Sequence, residues 1–243
     1  YKMTSGRLMP VSDPSSLFLS DHLNTEDNEG CAISLTLEGL RAMTVEIQAL
    51  VTPNNEGSGR QTVDGIAYSR LQLLIGVLRK RCRMYFAKQD IYVNVVGNMR
   101  LDKGEGSTSD LAVSMALVSS LLGIPVRSDT AFVGEVGLLG ELRAVPYIEK
   151  RILEARRMGF SRVVSSRDKK SSRTNGKPKF SKSQGIDWIQ CDTLLDALNE
   201  GLVGSLPMKG TRRNGSKQSP GRTSTQSPDS VAELMLDDVI VDD

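Results

Sequence analysis

The run GEGSTSDLAVSMALVSSLLGIPV, residues 104–126, constrains the fold of this chain more than any other stretch. Leu111, Met115, Val118 and Leu122 step by four, three and four residues, the spacing of one helix face, so a core helix is expected. Ser107, Thr108, Ser109 and Asp110 stand at its start as short polar side chains suited to an N-cap, and Gly123 and Pro125 close it. The pattern then changes. AFVGEV (131–136), glycines at 137 and 140, and ELRAV are expected to form a β-hairpin.

Other segments extend this alternation. After a leading strand and turn, a short helix is expected near DPSSLFL, then a polar loop. Ile33, Leu35 and Leu37 share one side of a strand, as do Val45, Ile47, Ala49 and Val51 after a turn at Glu38–Gly39, so period two predicts another hairpin. Ala67, Leu71, Leu74 and Leu78 predict an amphipathic helix within 64–82. IYVNVV (91–96) reads as a strand, Ile148, Ile152 and Ala155 mark a third helix, and RVVSS and DWIQ read as short strands. DTLLDALNEGL is the last helix, with Asp192 or Thr193 as its cap. Strands and helices interleave, so the class is α/β (α+β) with a mixed sheet, two hairpins and packed helices. The domain is expected over 1–204, with 167–185 as a basic flexible insert and 205–243 as a low-complexity, disordered tail with an acidic end.

Composition narrows the chemistry. One histidine, His22, makes Ser-His-Asp catalysis or a histidine-rich metal site improbable. Cys31, Cys82 and Cys191 form no CxxC pair, which argues against a zinc site or disulfide framework and for a reducing compartment. There is no GxxxxGK[ST] phosphate loop and no apolar run of the roughly 18–20 residues a membrane helix needs. The chain opens on Tyr1 without a targeting segment, and the expectation is of a piece of a longer protein. Neither metal nor cofactor is therefore expected in this chain.

The net charge of +2 conceals an asymmetry. Residues 229–243 carry six acids and no Lys or Arg, which leaves the remainder at about +8, as a polyanion-binding body would require. The basic candidates are Arg70, Lys80 and Arg81 of the first helix, Arg143 at the exit of the second hairpin, and Lys150 and Arg151 at the start of the third helix. A basic cluster of Arg79, Lys80, Arg81 and Arg83 also suits the negative end of the helix dipole. With only 5% aromatics, any nucleic-acid contact is expected to be directed at the backbone and tolerant of sequence.

The blocks ALVSSL and GEVGLLGEL resemble the core of a Lon-type peptidase domain, whose chemistry uses a serine at the head of one helix and a lysine on the next. On that resemblance Thr108 stands at the serine position and Glu149 at the lysine position. A Ser-Lys dyad needs a desolvated, neutral amine to take the hydroxyl proton, which a carboxylate cannot supply. No catalytic residue is therefore expected.

A larger set of blocks, YKMTSGRLMPVSDPSSLFLS, VEIQALVTP, DGIAYSRLQLLIGVL, DIYVNVVGNMRL, SDLAVSMALVSS and GEVGLLGELRAV, resembles in order the C-terminal Lon-like domain of the RadA (Sms) family. The resemblance covers roughly residues 1–165 and resumes over about 186–202. It implies a non-proteolytic, hexamer-forming scaffold that contacts single-stranded or branched DNA in an ATP-driven branch-migration motor for recombination and repair. ATP, Mg and zinc would belong to preceding domains, a recombinase is a further partner, and no membrane is involved. The insert and tail hint at a mitochondrial or chloroplast version, the alternative being the bacterial cytoplasm. Two rivals stand beside this reading: an active peptidase using Thr108 with Lys150, and an interaction module docking through VAELMLDDVIVDD.

Overall fold

The computed structural model describes residues 2–4, 7–9, 29–54, 57, 59–97, 99–101, 106–167, 179–183, 185–204 and 206. Two short strands, β1 (Lys2–Thr4) and β2 (Arg7–Met9), pair antiparallel with Lys2 opposite Met9. The expected helix near DPSSLFL lies outside the described residues. So do the tail beyond Leu206 and the second of the two units into which the chain divides, Pro207–Asp243.

Strands β3 (Cys31–Glu38) and β4 (Arg41–Pro53) form the expected hairpin. Gly30 leads into it with φ +73°, and a Cβ there would collide with the Ala49 carbonyl oxygen, so only glycine fits. β5 (Gln61–Asp64) precedes helix α1 (Tyr68–Arg81) and runs parallel to β6 (Gln89–Val95), which follows that helix. Leu71, Leu74, Val77 and Leu78 are the buried side of α1.

A 3₁₀ turn, Gly106–Ser109, enters α2 (Asp110–Leu122). Every residue from Asp110 to Ser119 is buried, so α2 is a central helix covered on all sides and not merely one with a buried face. Its hydroxyls serve the packing. Ser119 Oγ accepts from Gly30 N–H (2.9 Å) and donates to the Ile124 carbonyl (2.6 Å), while Ser120 Oγ accepts from Val51 N–H (2.9 Å). Gly123 ends the helix in the left-handed conformation, φ +62°.

β7 (Thr130–Val133) lies in the main sheet between β3 and β10 (Arg162–Ser166), parallel to both. The expected second hairpin therefore divides. Only β8 (Glu135–Val136) and β9 (Leu142–Arg143) pair as a small antiparallel ribbon, because Ala131, Phe132 and Val133 find their partners in the sheet. Helix α3 (Ile148–Arg157), β10, β11 (Lys179–Ser183), β12 (Ile186–Cys191) and α4 (Leu194–Gly201) complete the fold. Thr193 caps α4, its hydroxyl oxygen accepting from Asp196 N–H at 3.2 Å.

The main sheet has the order β11-β12-β10-β7-β3-β4-β6-β5. It corrects one expectation about 167–185. Lys179–Ser183 is an edge strand antiparallel to β12, and Arg167 is buried with its Nε 2.7 Å from Asp192 Oδ1. Backbone pairing at the sheet edge overrides a polar, basic composition.

The sheet separates two cores. Val45, Ile47, Ala49 and Val51 pack with α1, α2 and α4, whereas Ile33 and Leu35 pack with Ile152 and Ala155 of α3. The two strands of the first hairpin thus send their apolar sets to opposite sides. Ile33 stands opposite Glu46, which places the buried carboxylate of Glu46 on the α3 side.

Candidate functional site

The head of α2 is held by a reciprocal backbone clasp. Gly134 N–H donates to the Thr108 carbonyl (2.9 Å) and Leu111 N–H donates to the Gly134 carbonyl (3.2 Å), so the 3₁₀ turn is fastened beyond the end of β7. Thr108 is 6% exposed. The N-cap position falls on Ser109, whose side chain makes no capping bond and instead accepts from Ser34 Oγ of β3 at 2.8 Å. The expected hydroxyl cap is thus replaced by a tertiary bond.

Asp110 is the buried charge at this site. Arg70 of α1 donates from Nε to Asp110 Oδ1 (2.7 Å) and from Nη2 to Oδ2, and Val136 N–H donates to the same Oδ2 (3.0 Å). Arg70 Nη2 also reaches the Val136 carbonyl at 3.3 Å. One ion pair therefore joins α1, α2 and the β8–β9 ribbon. Burial pushes the Asp110 carboxyl up, against the opposing pull of the Arg70 and Val136 bonds, and Arg70 is raised chiefly by its hydrogen bond to Asp110. Asp110 also offers its charge at the first position of α2, where the helix dipole favours it. No local pattern in the sequence pairs these two residues, which are 40 apart. The pair's signal was an acid at the edge of an apolar run, which must be matched once the helix is buried.

The other sequence-derived positions fall in different settings. Glu149 and Lys150 are exposed on α3, and the Lys150 ammonium lies 5.2 Å from the Tyr147 ring centroid. Lys150 is thus outside the dry pocket that a lysine base requires. Arg151 is fully buried and corrects its reading as a DNA contact. Its Nη1 donates to the Leu35 carbonyl (2.6 Å) and its Nε to the Pro146 carbonyl (3.1 Å). Arg151 lies three residues after Ile148 and four before Ala155, so helix geometry turns it into the core with them.

Lys80 and Arg81 are exposed at the end of α1, beside exposed Arg79 and Arg83. Arg143 is exposed but bridged to Glu141 (2.8 Å) and Glu135 (3.2 Å), and Arg70 is occupied by Asp110. Among the sequence-derived basic positions, Lys80 and Arg81 are exposed neighbours at the end of α1, whereas Arg70 and Arg143 are engaged by carboxylates and Arg151 is buried.

Cys31, Cys82 and Cys191 are free thiols. Burial pushes Cys82 and Cys191 up to about 12, and burial together with Glu46 raises Cys31. Burial thus disfavours the thiolate form at all three positions.

These features define a mixed α/β domain, one mixed sheet covered by helices on both faces, with a buried ion pair at the head of its central helix and an exposed basic helix end. Residues 74–169 match the family described as subunit ChlI of Mg-chelatase. The chain is 37% identical to the DNA repair protein RadA of Streptococcus pyogenes serotype M1 over 199 residues, 82% of this chain and 41% of that protein. It is 34% identical to the DNA repair protein RadA of Bacillus subtilis over 204 residues, covering 84% of this chain and 42% of that protein. The RadA of Listeria monocytogenes matches at 34% over 202 residues, 83% of this chain and 42% of that protein. The chain belongs to the family of the DNA repair protein RadA. It spans about two fifths of the length of these relatives.

Proposed function

We propose that this chain is the non-proteolytic, Lon-like scaffold and DNA-contacting portion of a RadA-type motor acting in DNA repair and recombination. Branch migration would be driven by ATP hydrolysis elsewhere in the whole protein, and this portion would hold a hexameric ring and guide DNA. The relatives named for DNA repair support the broad role. A recombinase is the natural further partner of such a motor.

The observation that carries the non-proteolytic reading is the division of charges on α3. The helix turns Arg151 inward and leaves Glu149 and Lys150 in solvent. The Arg151 guanidinium is engaged with two backbone carbonyls and Lys150 stands in solvent, so α3 offers no buried lysine of the kind a Ser-Lys dyad uses, which supports the scaffold reading. The DNA-contacting reading is supported by the exposed basic end of α1, where phosphate binding would be sequence-neutral and strongly dependent on salt.

Two measurements with the purified chain test this. Casein should remain intact, and casein cleavage abolished by Thr108→Ala would defeat the scaffold reading. Labelled DNA should bind at low salt and dissociate as salt rises; absence of binding at low salt would remove the DNA-contacting role.

A further inference from the structure

The segment Arg79–Lys88, RKRCRMYFAK, crosses from the end of α1 into β6 with five cations and no acid. Cys82, Met84 and Phe86 are 2%, 6% and 7% exposed and belong to the main core, whereas Arg83 and Tyr85 between them are exposed. Every second side chain is thus an anchor, and the intervening ones point into solvent. Tyr85, at 68%, is the most exposed aromatic among the described residues.

The backbone here is held in a conformation that its sequence does not prefer. Arg83 and Lys88 have φ of +57° and +56°, and Tyr147 is the sole other non-glycine residue with positive φ among those described. A side chain in the left-handed region costs about 1–2 kcal/mol, so the buried anchors and neighbouring bonds must hold the strip in place. Met84 N–H bonds to the Leu78 carbonyl (3.1 Å), and the Lys88 carbonyl accepts from Asn54 N–H (2.8 Å). The neighbouring acids are already engaged. Asp90 accepts from Asn54 Nδ2 and Arg60 N–H, and Glu141, beyond the Gly140 turn against which Arg81 rests, is bridged to Arg143.

We propose that Arg79–Lys88 is a binding strip for single-stranded DNA, with phosphates on the cations and an unstacked base on Tyr85. The proposal rests on the DNA-contacting reading above and names the form of DNA that this surface takes. Arg79, Lys80, Arg81, Arg83 and Lys88 attract the phosphates of any nucleic acid. An exposed tyrosine ring set among them adds stacking, and only a strand whose base faces are open can use it. A duplex has its base faces covered and gains the charges alone. The low overall count of aromatics does not oppose this, since one correctly placed ring suffices for one base.

The test is fluorescence anisotropy of the full chain with a labelled oligothymidine strand and a duplex of equal length. Tyr85→Ala should weaken single-strand binding by roughly 5- to 100-fold, as loss of one stacked base does, and leave duplex binding within about twofold. Tyr85→Trp should retain single-strand binding, and Arg83→Ala should weaken both substrates. Because Tyr85 is exposed, an unchanged thermal melt will accompany these effects. A wild-type chain that binds neither substrate defeats the DNA-contacting reading itself. Wild-type binding with Tyr85→Ala unchanged, or equally weakened on strand and duplex, overturns the strip and leaves that reading standing.

Discussion

Arg70 and Asp110 form a bidentate ion pair in which the carboxylate is almost wholly buried, at 1% side-chain exposure, and the guanidinium keeps 26%. The two partners are therefore unequal. Removing Arg70 strands a buried charge, whereas removing Asp110 leaves an arginine that water can still reach.

Arg70→Ala should cost about 3 kcal/mol at neutral pH, more than Asp110→Asn. The deficit will depend on pH. Burial already raises the Asp110 carboxyl, and loss of Arg70 raises it further, so the variant's folded state prefers the protonated acid. Stability of that kind is fully present below the ordinary carboxylate value and is lost as pH rises through the raised one. Urea midpoints should show a smaller Arg70→Ala deficit at acidic pH than at pH 8; equal deficits would refute the stranded-charge account.

Arg151→Ala should destabilise the fold by about 3 kcal/mol or more, because the Leu35 and Pro146 carbonyls lose their buried donor. Arg151→Lys should recover only part of this, since an ammonium lacks the planar fork. Calorimetry reads the stability. DNA affinity per folded molecule should be unchanged, as no phosphate reaches a fully buried side chain.

Lys80→Ala and Arg81→Ala should each reduce the slope of log affinity against log salt by about 1. Arg143→Ala should change it less, because Glu135 and Glu141 already neutralise that guanidinium. Titrations at several salt concentrations rank the three; a larger effect at Arg143 would move the DNA surface to the β8–β9 ribbon.

The buried thiols predict alkaline sensitivity. Cys82 and Cys191 are raised from an ordinary 9.0 to about 12, so their contribution is present below 9 and lost as pH rises towards 12. The loss should be about 1.4 kcal/mol per pH unit for each thiol within that window. Denaturation of the wild type and of a Cys82→Ala variant at pH 8 and pH 10 checks this, the variant showing the shallower decline.

Gly30→Ala should be among the most damaging small substitutions. It places a methyl group against the Ala49 carbonyl and strains a φ of +73°. Gly39→Ala, with a similar φ but open space around it, should cost less. A thermal melt of both variants separates collision from backbone strain.

Much of the local structure was legible from spacing. The periods of Leu71, Leu74 and Leu78, of Leu111, Met115 and Val118, and of Ile152 and Ala155 located α1, α2 and α3, and the pair Asp192 and Thr193 marked the start of α4, where the structure uses Thr193 as the cap. The exposed basic end of α1 was equally visible, because Arg79, Lys80 and Arg81 fall between the apolar positions Leu78 and Cys82 that take the buried side. At Arg151 two sequence signals conflict: the spacing from Ile148 and Ala155 places it on the buried face, while its charge points to solvent, and the structure follows the spacing.

What the chain determined alone is therefore local: which segments coil or extend, where they stop, and which side chains share a face. Only the tertiary structure decided that Arg70 meets Asp110, that Ala131–Val133 joins the central sheet, and that Lys179–Ser183 becomes its edge. The reason is physical. Periodicity is written within a few residues, but a buried charge or an unpaired strand is satisfied by whatever the fold brings to it, here 40 residues away in sequence for Arg70 and Asp110.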